Sequence, residues 1–342
     1  MVSTRIQRPA PYSMTSSECT TPIRRILNYN SGEDDLRIIR VQNMRFKVNA
    51  HILREGSPVF KSILHKSGDS PIVLSGHTGS QFRAFLWALY AQPLPGAKNL
   101  DIARLCSIAE VALKYQFNSL MLWSMDGIKT LVNAPDTLLR TAPSEIFVRL
   151  TRLALLYRDT HLSRSIQLKW LTRIHWHDLP PAPALVVADA YDLRHLLCHA
   201  YYVHLVDVSP RIARGQPIGG AGSPLTPTQN LHVFCGYHSL LALWRQLQDA
   251  APAFAPAPTC TASAHAQRCA VAWAARWALE AGRATTLSPV DVLCRLLFME
   301  RQLEADEVLK ACMDEGCRLE ALDAVAKKRA EISDNLHHHF DL

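Results

Sequence analysis

The residues with the most chemical potential in this chain are its cysteines and histidines. Nine cysteines are present, at Cys19, Cys106, Cys198, Cys235, Cys260, Cys269, Cys294, Cys312 and Cys317. An odd number spread over a long chain is not the dense, even framework of a small disulfide scaffold, so reduced thiols in a cytoplasmic or nuclear protein are expected. The zinc candidates are Cys260, Cys269, Cys312 and Cys317. Eight residues separate the first two and four separate the last two. Zinc sites favour two to four intervening residues, so only the second pair has the spacing, and on a helix over 306–322 positions i and i+5 share a face poorly. Buried structural cysteines, with no metal and no cofactor, are therefore the expectation. His195 and His199 stand at i, i+4, but no Glu follows His195 as in a His-Glu-x-x-His metal helix, so a polar face or a satisfied core histidine is expected. His337-His338-His339 reads as a solvated end. No Gly-x-Ser-x-Gly elbow exists. Gly219-Gly220-Ala221-Gly222-Ser223 lacks a following Lys-Ser/Thr and lies among prolines, which makes it a linker. No catalytic residue is assigned, and a non-enzyme is expected, with a zinc-stabilised module or metal enzyme built on Cys260, Cys269, Cys312 and Cys317 as the alternative.

The elements that would position these residues fall into two regions. Residues 1–30 read as a loose polar tail, although Ile23, Ile26 and Leu27 are apolar enough for an additional N-terminal strand or helix. Leu36–Val41 and Met44–Val48 carry strand patterns joined by a turn at Gln42-Asn43, which predicts a β-hairpin. A short helix over 51–56 stops at Gly56. Ser57 then caps a second helix with Pro58 at its first position. Ile72-Val73-Leu74 reads as a short buried strand. From Ser80, the residues Phe82, Phe85, Leu86, Leu89 and Tyr90 share one helical face. Two further helices fill 100–131, with a break near Phe117-Asn118. The second half is helical throughout, with a break at Pro180–Pro183, a continuous helix over Ala184–Val206, and further helices over 231–248, 264–281 and 288–333. Its loops are expected near 209–228 and 250–263. The expected division is thus a tail (1–30), an α+β domain (31–132) and an all-α domain (136–342).

The stretch Phe46-Lys47-Val48-Asn49-Ala50-His51-Ile52-Leu53-Arg54-Glu55-Gly56-Ser57-Pro58-Val59-Phe60 resembles a BTB/POZ domain, in which a strand ending in Val-His-Arg leads to a helix and then Ser-Pro-Val-Phe. Asp35-Leu36 resembles the Asp-Val that opens the family's first strand. Phe82-x-x-Phe85-Leu86-x-x-Leu89-Tyr90 resembles its Phe-x-x-Phe-Leu-x-x-Leu-Tyr helix, and Ile108-Ala109 through Lys114-Tyr115-x-Phe117 its Leu-Ala-x-Lys-Tyr-x-Phe segment. These motifs follow one another in the family's order over residues 35–130. The later part is similar to the helical C-terminal region of fungal BTB proteins, with His195–Tyr202 standing where a Leu-Pro-Ala-Ala-Phe-Tyr-type segment occurs. Cys260, Cys269, Trp273, Cys312, Cys317 and the terminal Phe340-Asp341-Leu342 match that region's spaced cysteines and Phe-x-Leu ending.

The resemblance implies a short-stranded sheet capped by helices, followed by a helical domain, acting by protein–protein interaction: homo-oligomers, other BTB proteins, or a cullin ubiquitin-ligase scaffold for which the chain would be a substrate adaptor. Two departures bear on this. Asn49-Ala50 replaces the family's basic pair, so the positive partner that Asp35 has in BTB dimers is missing at that place. His65–Pro71 also lacks the apolar-x-Glu motif associated with cullin recruitment, which favours a general interaction module over an adaptor.

Composition closes off other classes. Of 342 residues, 48% are hydrophobic and 20% charged, an ordinary globular balance. No run of about 18 apolar residues predicts a membrane span. The net charge of +7 is dispersed, without a block of basic residues or interleaved aromatics, so a nucleic-acid interface is not expected. Trp170, Trp176, Trp244, Trp273 and Trp277 read as core or interface residues.

Overall fold

A computed structural model describes residues 35–68, 70–91, 94–96, 100–134, 138–218 and 225–340. The expected N-terminal tail, its apolar Ile23/Ile26/Leu27 segment, Cys19, the glycine run at 219–222 and the last two residues lie outside the described residues. By chain contacts the protein divides into two compact units, 1–95 with 107–125 and 96–106 with 126–342.

In the first unit, β1 (Leu36–Val41) and β2 (Met44–Asn49) form the expected antiparallel hairpin, with Val41 opposite Met44. Gln42 takes the left-handed conformation that the tight turn needs (φ 52°) and accepts a hydrogen bond from the Gly79 amide at 3.1 Å. β3 (Ile72–Leu74) runs parallel to β1, giving the order β2-β1-β3. A parallel neighbour requires a crossover, and α1 (Ala50–Gly56) and α2 (Pro58–Ser67) supply it. The period-2 pattern sends Ile39, Val41, Phe46, Val48, Ile72 and Leu74 inward. α3 (Gly79–Tyr90), opened by a Thr78/Gln81 capping box, adds Phe82, Phe85 and Leu86. α4 (Ile102–Lys114) and α5 (Asn118–Asn133) break where expected, and each is shared between the two units. An aromatic chain runs through this core: Phe46–Phe82 at 5.1 Å between ring centres, Phe82–Phe85 at 5.7 Å, Phe85–Phe117 at 4.8 Å, Phe117–Phe60 at 5.7 Å and Phe60–Tyr115 at 4.7 Å. These are favourable offset and edge-on geometries.

The second unit is all-helical among the described residues. A 3-10 turn (Leu138–Arg140) leads to α6 (Ser144–Leu156) and α7 (Thr160–His175), which stack Phe147 on Trp170 at 5.5 Å. Next come α8 (Ala182–Ala190), α9 (Arg194–Ala213) and α10 (Pro227–Asp249), then α11 (Ala262–Ala264), a π-helical turn (His265–Cys269) and α12 (Ala270–Ala281). The unit ends with α13 (Val292–Ala305), α14 (Glu307–Cys312), α15 (Glu315–Asp334) and α16 (His337–Phe340). The Tyr202 hydroxyl ties α9 to the start of α13: it donates to Asp291 at 2.8 Å and accepts from the Leu293 amide at 3.0 Å.

Several expectations are corrected here. The expected continuous helix over 184–206 is two helices. They part at Tyr191–Leu193, where Asp192 is left-handed (φ 52°), a conformation that a short polar side chain tolerates. The loop expected from 209 begins later, because α9 runs through Pro210. Proline removes the amide that would reach the Val206 carbonyl, and the neighbouring Ser209 hydroxyl donates to that carbonyl instead, at 2.9 Å. The stretch 288–333 is three helices, each started by an aspartate cap: Asp291, Asp306 and Asp314. Pro183 sits in the first turn of α8 rather than in a break. Trp170, Trp244, Trp273 and Trp277 are buried, whereas Trp176 is 77% exposed. Of the C-terminal histidines expected to be a solvated end, His338 is exposed, but the segment is anchored. His339 Nδ1 meets the Ser239 hydroxyl at 2.7 Å, and the buried Phe340 stacks on Tyr201 at 5.4 Å.

Candidate functional sites

The first site is a thiol cluster in the second unit. The coil over 250–261 ends at Cys260, directly before Thr261, whose hydroxyl caps α11 by accepting from the Ala264 amide at 3.3 Å. The π-helical turn follows at once and carries His265 and Cys269. Single π turns widen a helix locally and recur at functional sites. The third strand of chain is the start of α15. Asp314 caps it by accepting from the Cys317 amide at 3.2 Å, and Asp314 also accepts from the Thr259 hydroxyl at 2.9 Å, binding the coil to the helix. As a result the sulfurs of Cys260, Cys269 and Cys317 all lie within 4.8 Å of one another, the one such group of potential metal ligands among the described residues. Cys260 Sγ is 4.0 Å from Cys269 Sγ, and Cys317 Sγ is 3.5 Å from His265 Nδ1. Two backbone amides point at the sulfurs: Ala257 N–H at Cys317 (3.4 Å) and Asp314 N–H at Cys269 (3.5 Å).

Cys269 and Cys317 are buried and Cys260 is half-buried. Desolvation, then hydrogen bonding and charge from Cys317 and Cys269, push the Cys260 thiol up to about 12. The Cys260 thiol therefore holds its proton at neutral pH. The geometry offers two kinds of chemistry: coordination of a borderline-soft cation by three sulfurs and an imidazole, or oxidation of the close Cys260–Cys269 pair.

Of the four cysteines singled out from sequence, three converge and Cys312 does not. It sits exposed at the end of α14, separated from Cys317 by the Met313-Asp314 break. The pair with the unpromising spacing is the pair that meets. The π turn and the capped loop before it shorten the path in a way that no helical register predicts. His265 carries a signal only in retrospect, as the centre of a Cys-x4-His-x3-Cys run.

His175, His195 and His199 pack together in the second unit. His199 lies 4.7 Å from the His195 ring and 5.5 Å from the His175 ring, and its buried Nδ1 has no hydrogen-bond partner among the described residues. Burial first, then the neighbouring His195 and His175, lower its pKa to about 4.

The second site is the outer face of the sheet in the first unit. Pairing places Leu36, Ile38 and Arg40 of β1 on the side away from the core, with Lys47 opposite Ile38, Arg45 opposite Arg40, and Val73 of β3 beside Arg40. Ile38 is 49% and Val73 65% exposed. Arg40, Arg45 and Lys47 are exposed too, and none of them forms an ion pair among the described residues. A shallow groove lined by Arg40, Val73, His77 and Gln81 adjoins this face.

The BTB-type signature residues divide into packing and capping roles. Phe46, Val48, Leu53, Phe60, Phe82, Phe85 and Leu86 are buried, and Val59 packs against that core from the half-buried edge. Ser57 is fully buried. Its hydroxyl accepts from the Phe60 amide at 2.9 Å and donates to the Tyr115 carbonyl, with Pro58 following at the first helical position. The Tyr90 hydroxyl accepts from the Asn49 amide at 3.0 Å. Asp35 does have a cationic partner. Arg54, one turn beyond Ala50 on α1, reaches it at 3.3 Å. No helix among the described residues is long and apolar enough to cross a membrane. Compared with known proteins, the chain matches no family model and no curated protein.

Proposed function

We propose that this chain is a non-enzymatic protein–protein interaction module that works through a BTB/POZ-like N-terminal unit. The observation that carries the reading is the outer sheet face, where exposed Ile38 and Val73 stand among Arg40, Arg45 and Lys47. Exposed β-branched residues on an otherwise well-packed sheet mark a contact surface. Unpaired cations around them select what can cover it. The order of two strands, a helix pair, a third strand and then helices supports the family resemblance, as do the positions of Ser57, Phe60, Phe82 and Phe85 in the core.

The charge pattern favours one partner class. A second copy placed face to face would set both groups of Arg40, Arg45 and Lys47 against each other, which like-charge repulsion opposes. A protein presenting apolar side chains bordered by carboxylates would satisfy both halves of the surface.

The test compares proteins captured from native cells by the tagged full chain and by its Ile38→Glu/Val73→Glu variant. Both substitutions lie on the exposed face and leave the core intact. The reading expects at least one stoichiometric partner with an acidic contact surface, lost from the variant. An unchanged set of captured proteins would refute it. If the lost partner is a cullin, the chain is a ligase adaptor despite the absent Glu near 65–71. If it is another copy of the chain, seen also by light scattering, the face is a self-association surface.

A further inference from the structure

We infer that Cys260, His265, Cys269 and Cys317 form a structural zinc site that fastens the 250–261 coil and the π-helical turn to the N-terminus of α15. The argument is geometric. With metal–sulfur bonds of ~2.3 Å and a metal–nitrogen bond of ~2.0 Å, a tetrahedral site places two sulfurs roughly 3.8 Å apart and a sulfur and an imidazole nitrogen roughly 3.6 Å apart. The Cys260–Cys269 sulfurs are 4.0 Å apart, and Cys317 Sγ is 3.5 Å from His265 Nδ1. The third sulfur lies within 4.8 Å of each of the other two. Three sulfurs from three separate segments thus already stand close to the separations that one cation imposes, and His265, which touches Cys317 but lies outside that mutually close group, is the side chain that would swing in as the fourth ligand.

Their surroundings suit thiolates. The amides of Ala257 and Asp314 donate to Cys317 and Cys269, as outer-shell donors do around zinc thiolates. Cys317 also occupies the first turn of a 20-residue helix, where the helix field favours negative sulfur. Three thiolates and one neutral imidazole fill a tetrahedron and leave no open position, so the site is structural rather than catalytic. Loading releases the thiol protons to solvent and changes no oxidation state. What the metal would add is a covalent-strength link to a coil that has no regular structure over 250–261 and is already tied to α15 by the Thr259–Asp314 hydrogen bond; the site joins it to Cys317, 57 positions further on.

The test is metal analysis of the purified, reduced full chain after gel filtration, paired with cobalt substitution. About one zinc per chain is expected, with the ligand-field and sulfur-to-metal charge-transfer bands of a tetrahedral cobalt thiolate site. Cys260→Ser and Cys317→Ser should each remove most of the zinc, whereas Cys312→Ser and His337→Gln/His338→Gln should keep it. His265→Cys should keep the metal and raise the charge-transfer intensity by about a third, as a fourth thiolate joins three. Should a serine variant fail to fold, the cobalt spectrum of the unsubstituted chain and the His265→Cys gain decide the matter. The proposal is overturned if the folded, reduced chain holds only trace zinc and gives no cobalt thiolate bands. It is overturned equally if the metal follows Cys312 or His337/His338, or if mass spectrometry finds a Cys260–Cys269 disulfide in freshly isolated protein.

Discussion

Replacing Ser57 with alanine tests how the first unit is held together, because one hydroxyl does two jobs there. It accepts from the Phe60 amide at 2.9 Å as the cap of α2, and it donates to the Tyr115 carbonyl at the end of α4, in a place with no solvent access. Loss of an N-cap costs about 1 kcal/mol. Leaving a buried carbonyl without its donor adds about 1–3 kcal/mol. Ser57→Ala should therefore destabilise the first unit by about 2–4 kcal/mol. Hydrogen–deuterium exchange read peptide by peptide gives the opening free energy of each unit separately. Exchange should accelerate over 36–67 and 108–121 and stay unchanged over 144–205. Ser57→Asp sharpens the test. Aspartate caps helices as well as serine does, so a purely capping role makes it neutral. Here a carboxylate would face the Tyr115 carbonyl with no proton to give, and it should destabilise at least as much as alanine. A cost below about 0.5 kcal/mol for alanine, or a tolerated aspartate, would refute the two-job account.

Other consequences can be checked alongside. The folded state holds His199 neutral with its pKa lowered to about 4, whereas an unfolded histidine titrates near 6.5. The unfolded chain then binds the extra proton first, so stability should fall as pH drops from 6.5 toward 4. The ceiling is roughly 3 kcal/mol, and His199→Leu should flatten that slope in urea titrations run at several pH values. A Cβ at Gly56 would clash with the Phe117 ring, and that ring is fixed between Phe60 and Phe85. Gly56→Ala should thus cost about 1–3 kcal/mol by overpacking, read as a lowered melting temperature. The Asp35–Arg54 pair is about one-third exposed on both sides, so Arg54→Ala should cost less than about 1 kcal/mol and fold normally.

What could be read from sequence was whatever local chemistry decides. Gln42-Asn43 between two alternating runs specifies a hairpin, Ser57-Pro58 specifies a helix start, and the Phe82/Phe85/Leu86 spacing specifies a buried face; each is found in place. Decisions made by tertiary contacts were not legible. The apolar run over 184–206 reads as one helix because nothing in it breaks the pattern until Asp192 turns left-handed. Pro210 reads as a stop because the compensating Ser209 hydroxyl acts only once the helix exists. The thiol cluster was half legible. The residue types were recognised, but ligand spacing rules assume a knuckle, and here a π turn, a capped coil and a distant helix start bring the side chains together. Cys312 has the spacing and points elsewhere, while His265 carries no local signal because the sulfur it touches lies 52 positions away.

The interaction surface is tested most directly by zero-length carbodiimide coupling of the full chain to its captured partner, followed by mapping of the linked peptides. Lys47 is the one amine among the three cations of the sheet face, and the reagent joins amines only to carboxylates in contact with them. The account predicts that Lys47 couples to an aspartate or glutamate of the partner, and that the link vanishes in Ile38→Glu/Val73→Glu while that variant remains folded. A partner that couples efficiently through lysines of the helical unit, such as Lys310 or Lys327, with Lys47 left unmodified, would contradict it.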